Sequence, residues 1–342
     1  MNLTNSELID VKCFFRHISK SKKINSSVLK LDIYQQSFYE KITHYYGHVP
    51  PDFLATADNI LKQTQKFIAK LIPLYQIGLR FDIYLVGGAI RDLLYGNNEN
   101  IKDLDIVLSI DKESINTTFK NTPLMTIESI LGVKINEFVN WNTDNNNAKV
   151  NNILKYCLQN HYLITKSITL EDICGKSSIN PYDNIINNKL ESLISLSSDN
   201  DIYPMDILLV NTDIEDYIKT FNFEICKAYV PLFESNSLQM LASSFEFLEE
   251  IHVTSGFIDD GMKNTITMHM EQQKSLASIE KSINEHYGRI KSKYLNHSLI
   301  LNPGGNEEYK EWKAKHEAYL ALQIALPKNE VTISSQPKKL KI

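Results

Sequence analysis

Asp103 and Asp105 stand two residues apart in the run KDLDIVLS, at the head of an apolar, β-branched segment. The two-residue period of a strand sends both carboxylates to one face, while Leu104 and Ile106 point to the other. Upstream, the run YLVGGAIRDLLYG places Gly87 and Gly88 between a strand-like segment, 81–86, and a short helical segment, 89–95, backed by Gly96. Without Cβ atoms, backbone amides at such a turn approach a ligand closely, and a helix N-terminus favours an anion. The glycine turn therefore suits a phosphate. Paired carboxylates facing it suit Mg2+, which takes oxygen ligands and shares coordination with a nucleotide. Alone, a glycine pair is usually a strand-to-helix turn and a DxD a solvated strand edge. Their combination in strand, turn, helix, turn, strand order is far more specific.

The string LVGGAIRDLLYG followed by KDLDIVLS resembles the head-domain signature of the class II (bacterial-type) poly(A) polymerases and CCA-adding tRNA nucleotidyltransferases, a branch of the DNA polymerase β-like nucleotidyltransferase superfamily. The resemblance covers residues 84–109 and extends more weakly through the preceding helix. It implies an α/β (α+β) fold: a small mixed-sheet nucleotidyltransferase core with N-terminal helices and a C-terminal helical domain. It also implies an enzyme that moves a nucleoside monophosphate from an NTP to an acceptor hydroxyl, with RNA as acceptor and pyrophosphate as leaving group. By the same resemblance Gly87 and Gly88 contact the triphosphate, Arg91 and Asp92 order the nucleotide pocket, and Asp103 and Asp105 are catalytic ligands of two Mg2+ ions.

In that family a third carboxylate sits on a neighbouring strand. Asp206, in PMDILLV, is the candidate, with Asp201 as fallback and the capping of an edge strand as the plain alternative. With all three, two Mg2+ ions clamp the α-phosphate, activate the acceptor hydroxyl and stabilise the departing pyrophosphate. The chain departs from the family after this strand. Lys219, Thr220, Phe221, Asn222, Phe223 and Glu224 stand where the family has Arg-Arg-Asp-Phe-Thr, and no EDxxR string follows. Two further readings therefore stay open: a toxin- or effector-like transferase that modifies protein or a small molecule, and a nucleotide-binding scaffold without turnover.

These residues need elements to hold them. Apolar positions Ile60, Leu61, Phe67, Ile68, Leu71 and Ile72 follow helical spacing, with Thr56 or Asp58 as cap and Pro73 as end or kink. A further helix is expected over 28–46 and a third strand over 205–210. The pattern suggests an N-terminal helical segment (1–55), a head domain (56–230), a C-terminal helical domain (231–325) and a loose tail (326–342). The Asn-rich stretch 111–200 has weak periodicity and is expected to form short helices and loops inserted between core strands.

A second, basic surface is expected at 281–294, where Lys281, Glu285, Arg289 and Lys293 fall on one helical stripe beside Tyr287, Lys291 and Tyr294. Lys281, Arg289, Lys291 and Lys293 are candidate nucleic-acid contacts, although a solvated helix face explains the same charges.

Composition bounds the rest. With 342 residues, 43% of them hydrophobic, the chain can bury a sizeable core. Lys plus Arg total 36 against 41 Asp plus Glu, a formal charge of −5, which excludes a protein-wide positive field for nucleic acid. A carboxylate-metal site tolerates that balance, because the cation supplies the positive charge. The four cysteines, Cys13, Cys157, Cys174 and Cys226, form no CxxC pair, so a reducing, cytoplasmic setting is expected. Residues 67–79 are broken by Lys70 and Pro73 and fall short of the roughly 20 residues a bilayer span needs, so no membrane partner is expected.

Overall fold

The computed structural model describes residues 8–10, 51–132, 146–169, 190–235, 239–269, 288–302, 304 and 309–310. The helix expected over 28–46 and the tail from 326 lie outside them.

Helix α1 (Pro51–Gln76) begins at a proline, which a first helical turn accepts because its missing N–H has no partner there anyway. Ala57, Ile60, Leu61, Phe67, Ile68, Leu71 and Leu74 form its buried stripe. The helix runs through Pro73 and stops at Gly78, whose φ of 105° suits glycine. The chain then enters β2 (Phe81–Val86), turns into α2 (Gly88–Leu94) and returns as β3 (Leu104–Ile110). Asp111 caps α3 (Lys112–Asn121) by accepting from the amides of Glu113 and Ser114. Helices α4 (Leu124–Leu131) and α5 (Asn146–Gln159) follow, then β4 (Leu163–Thr169), β5 (Leu190–Ser197), β6 (Met205–Val210) and α6 (Ile214–Ile218).

Beyond α6 come β7 (Ala228–Glu234), β8 (Gln239–Met240), α7 (Ser244–Glu249), β9 (His252–Thr254), α8 (Ser255–Lys263), β10 (Thr265–His269), α9 (Gly288–Lys293) and β11 (Ser298–Asn302). The described part of 231–325 thus alternates short helices with short strands. Among the described residues of this stretch, helix is found in α7, α8 and α9. The stretch 111–200 also differs from an insertion of helices and loops, because β4 and β5 extend the central sheet.

With β1 (Leu8–Asp10), nine strands among the described residues form one mixed sheet in the order β1-β9-β7-β2-β3-β6-β5-β4, with β8 added to β7. Within it β3 and β6 pair in parallel, and the other pairs are antiparallel. Its two faces have different cores. Leu104, Ile106 and Leu108 of β3 join Ile83, Leu85, Ile207 and Leu209 beneath α1, α2 and α5. The opposite face holds Val86, Val107, Leu208, Val210 and Tyr229 under Ile214, Tyr217 and Ile218 of α6. A third cluster joins Phe223, Ile225, Ile266, Met268, Ile290, Tyr294 and Tyr309, and so seats α9 and the parallel pair β10/β11 against the turn after α6. Each fully buried Leu or Ile contributes about 1.5–3 kcal/mol by leaving water.

Candidate active site

Alternation along β3 turns Leu104 and Ile106 into the larger core and Asp105 toward the face covered by α6. There Asp105 has three neighbours set by backbone geometry. It is the register partner of Val86 on antiparallel β2, the residue before the glycine turn. It is also the register partner of Asp206 on parallel β6. Strands lie about 4.8 Å apart, so the two carboxylates rise side by side from one face. Both are half-buried.

The third neighbour is the turn itself. Gly87 has φ 74° and ψ −128°, a region that side-chain-bearing residues rarely enter, and its N–H donates to the carbonyl of Ala228 at 3.1 Å. A Cβ there would stand 3.5 Å from Asp105 Oδ2 and 3.5 Å from the Phe221 ring. Both are ordinary van der Waals separations, so it is the backbone conformation at Gly87 that calls for glycine. Phe221 packs edge-on against Tyr217 with ring centroids 5.4 Å apart. Burial, reinforced by the Asp105 charge, raises the Tyr217 phenol above its usual range, so it stays protonated.

Asp103 is exposed, just ahead of β3, where Leu104 N–H donates to the Pro204 carbonyl at 2.9 Å and ties the entries of β3 and β6 together. Asp201, the fallback carboxylate, lies in the loop before β6, outside the register that pairs Asp206 with Asp105. Among the described residues, no three His, Cys, Asp or Glu side chains converge tightly enough to hold a metal as they stand. The donors this face offers are oxygens: Asp105 and Asp206 as a pair, with Asp103 at the entrance. That chemistry fits a hard divalent cation such as Mg2+.

Arg91 and Asp92 lie inside the protein, 4% and 1% exposed. Arg91 Nε and Nη2 each reach Asp92 Oδ1 at 2.8 Å, Nη1 donates to Cys226 Sγ at 3.1 Å, and the guanidinium lies 5.2 Å from the Tyr294 ring centre. Burial opposes the charge on Arg91, but Cys226, Tyr294 and Asp92 outweigh it and raise its pKa. Asp92 Oδ1 also accepts from the Tyr294 hydroxyl, and Oδ2 accepts from Lys293 Nζ at 2.9 Å. None of these α9-side partners has a local signal in the sequence, since they lie about two hundred residues from Asp92.

Among the described residues, two members of the basic stripe find partners within the fold. Lys281 lies outside the described residues. Arg289 belongs to α9. Lys291 Nζ donates to the His297 carbonyl, and Lys293 is committed to Asp92 and to the Asn100 carbonyl at 2.9 Å. Tyr294 is buried, at 4% exposure.

A cavity of about 360 Å3 is lined by Lys219, Glu224, Lys227, Gly256, His269 and Asn302, among others, but not by Asp105 or Asp206. Its polar wall is internally paired. Glu224 accepts from Lys227 Nζ at 2.6 Å and Thr254 Oγ1 at 3.1 Å, and contacts His269 Nε2. Burial would raise Glu224, but hydrogen bonds from His269 and Lys227 and their charges hold it at about 2. Among the described residues, no helix is long and apolar enough to cross a membrane.

The family model of the Poly A polymerase head domain matches residues 83–162, from β2 through α5, a span that includes Gly87, Gly88, Arg91, Asp92, Asp103 and Asp105 and stops short of Asp206. The chain matches no curated protein. Similar solved structures include one described as a tRNA-processing enzyme with CTP, at 12% identity and TM-score 0.31, covering 71% of this chain and 45% of that one. Two others are CCA-adding enzyme complexes. The one with CTP has 14% identity and TM-score 0.32 over 70% of this chain and 40% of that one. The one with ATP has 13% identity and TM-score 0.33 over 82% and 45%. The chain spans about half the length of the structures it matches.

Proposed function

We propose that this chain is a nucleotidyltransferase that moves a nucleoside monophosphate from an NTP to an acceptor hydroxyl on RNA, with Mg2+ as cofactor and release of pyrophosphate. The observation that carries this reading is the Asp105–Asp206 pair, set side by side on parallel strands, with Asp105 next to the Gly87 turn. The match of residues 83–162 to a Poly A polymerase head domain supports both the reaction class and RNA as acceptor.

Each residue has a distinct task. Gly87 and Gly88 would let the triphosphate approach the backbone at the end of β2, because neither carries a side chain at the turn beside Asp105. Asp105, Asp206 and the exposed Asp103 would hold Mg2+. When bound, Mg2+ supplies the positive charge that offsets the developing charge on the phosphates. The acceptor hydroxyl releases its proton to solvent as its oxygen bonds to the α-phosphorus, while the bond to the bridging α–β oxygen breaks and pyrophosphate carries that electron pair away. Phe221 and Tyr217 give this face an apolar floor that limits water beside the carboxylates.

The acceptor is tested by incubating the protein with each α-labelled NTP, Mg2+ and a mixed pool of RNA and protein. Label in RNA is expected. Label in protein alone would replace RNA as the acceptor, and no label in any fraction would favour a nucleotide-binding scaffold.

A further inference from the structure

Lys293 and Tyr294 reach into the glycine-aspartate signature from far along the chain. Lys293 Nζ lies 2.9 Å from Asp92 Oδ2 on α2 and 2.9 Å from the carbonyl of Asn100, in the 3-10 turn that leads toward Asp103. One ammonium thus bridges the helix behind the glycine turn and the approach to the DxD strand. The Tyr294 hydroxyl donates to Asp92 Oδ1, the same oxygen that holds Arg91. Arg91 in turn lies close behind the second glycine: a Cβ on Gly88 would stand 3.5 Å from Arg91 Nη2.

The charges also add up in one direction. Arg91 and Lys293 are cations and Asp92 is an anion, so the cluster, buried at Arg91 and Asp92 and half-buried at Lys293, leaves one net positive charge behind a turn that would receive a triphosphate. In a low-dielectric setting that charge acts over several ångströms without touching the ligand.

We propose that Lys293 and Tyr294 are positioning residues for the phosphate cradle, acting through Asp92 and Arg91 to fix the Gly87–Gly88 turn and to keep a net positive charge beneath it. This rests on the nucleotidyltransferase reading above. The C-terminal segment is then part of the phosphate-binding machinery rather than an outward nucleic-acid surface. A merely structural role would lower stability alone, whereas a positioning role changes affinity for the phosphates.

The experiment compares the wild-type chain with Lys293→Met and Tyr294→Phe. Calorimetry with Mg2+ measures the affinity of each of the four NTPs and of inorganic tripolyphosphate, and thermal unfolding is followed in parallel. The expected result is that Lys293→Met weakens the best-bound NTP and tripolyphosphate together by about tenfold, with Tyr294→Phe changing both in the same direction. Should Lys293→Met fail to fold, Tyr294→Phe decides, because it keeps the buried ring and removes only the hydroxyl. Folded variants that bind both probes as tightly as wild type overturn the inference and leave the enzymatic reading standing. A wild-type chain that binds no NTP overturns both.

Discussion

Asp105 of β3 and Asp206 of β6 occupy the same register position on the parallel strand pair at the centre of the sheet, so two carboxylates share one face without an intervening residue. Like charges so placed repel by on the order of 1 kcal/mol when partly solvated. Asp206→Asn should therefore unfold at the same temperature as wild type or higher in the presence of a chelator. Added Mg2+ should raise the wild-type midpoint and raise that of the variant much less, since a ligand stabilises only as far as it binds the folded state. Equal Mg2+ stabilisation of both proteins in a thermal scan would remove Asp206 from the metal set.

Gly87→Ala places a methyl group at a φ of 74°, 3.5 Å from Asp105 Oδ2. At φ 74° and ψ −128°, outside the left-handed helical region, the backbone strain costs about 1–3 kcal/mol, which a fold of this size survives. Displacing the turn from the carboxylate should lower turnover by about a hundredfold. Circular dichroism and a labelled-NTP assay on the same sample would check that the fold persists while transfer falls.

Asp92→Asn tests what the interior hub contributes to stability. Asp92 is 1% exposed and holds Arg91, Lys293 and Tyr294 at once. Removing its charge leaves the buried Arg91 guanidinium short of its carboxylate and the half-buried Lys293 with only the Asn100 carbonyl, and the loss of stability should be about 3 kcal/mol. Denaturant unfolding would measure it.

Glu224 gives the protein a specific acid sensitivity. Its pKa is held at about 2, against an ordinary 4.5, by His269 and Lys227 despite burial. A carboxylate lowered on folding contributes stability that is fully present above pH 4.5 and is lost as the pH falls toward 2. The difference corresponds to about 3 kcal/mol. Wild type should lose stability across that window. Glu224→Gln should be weaker at neutral pH and flatter between pH 4.5 and 2, as followed by urea unfolding at a series of pH values.

From Phe81 to Ile110 the fold is legible in the sequence because every signal is local: an alternating strand, a glycine pair, a short apolar helix and a second strand with DxD. The strand carrying Asp206 is legible for the same reason. The strand β5 is not, because a register shift between Leu190 and Ser192 breaks the alternation that marks a half-buried strand. Strands β8 and β9, of two and three residues, are shorter than any window over which period 2 can be told from 3.6, and neighbouring apolar residues blur them into a helical pattern. The stripe through Lys293 looks like a solvated helix face because its partners, Asp92 and Asn100, lie about two hundred residues away and leave no mark on local spacing. Glu224, Lys227 and His269 likewise meet only through the packing of the turn after α6 against β10.

Asp105 and Asp206 are proposed as the carboxylate pair of a nucleotidyl-transfer site. The most direct measurement is Mg2+-dependent incorporation of α-labelled nucleoside monophosphate into an RNA pool by wild type and by Asp105→Asn, both confirmed to be folded. The predicted result is incorporation by wild type, with near-complete loss in the variant at every Mg2+ concentration. Incorporation by Asp105→Asn at the wild-type rate would contradict it.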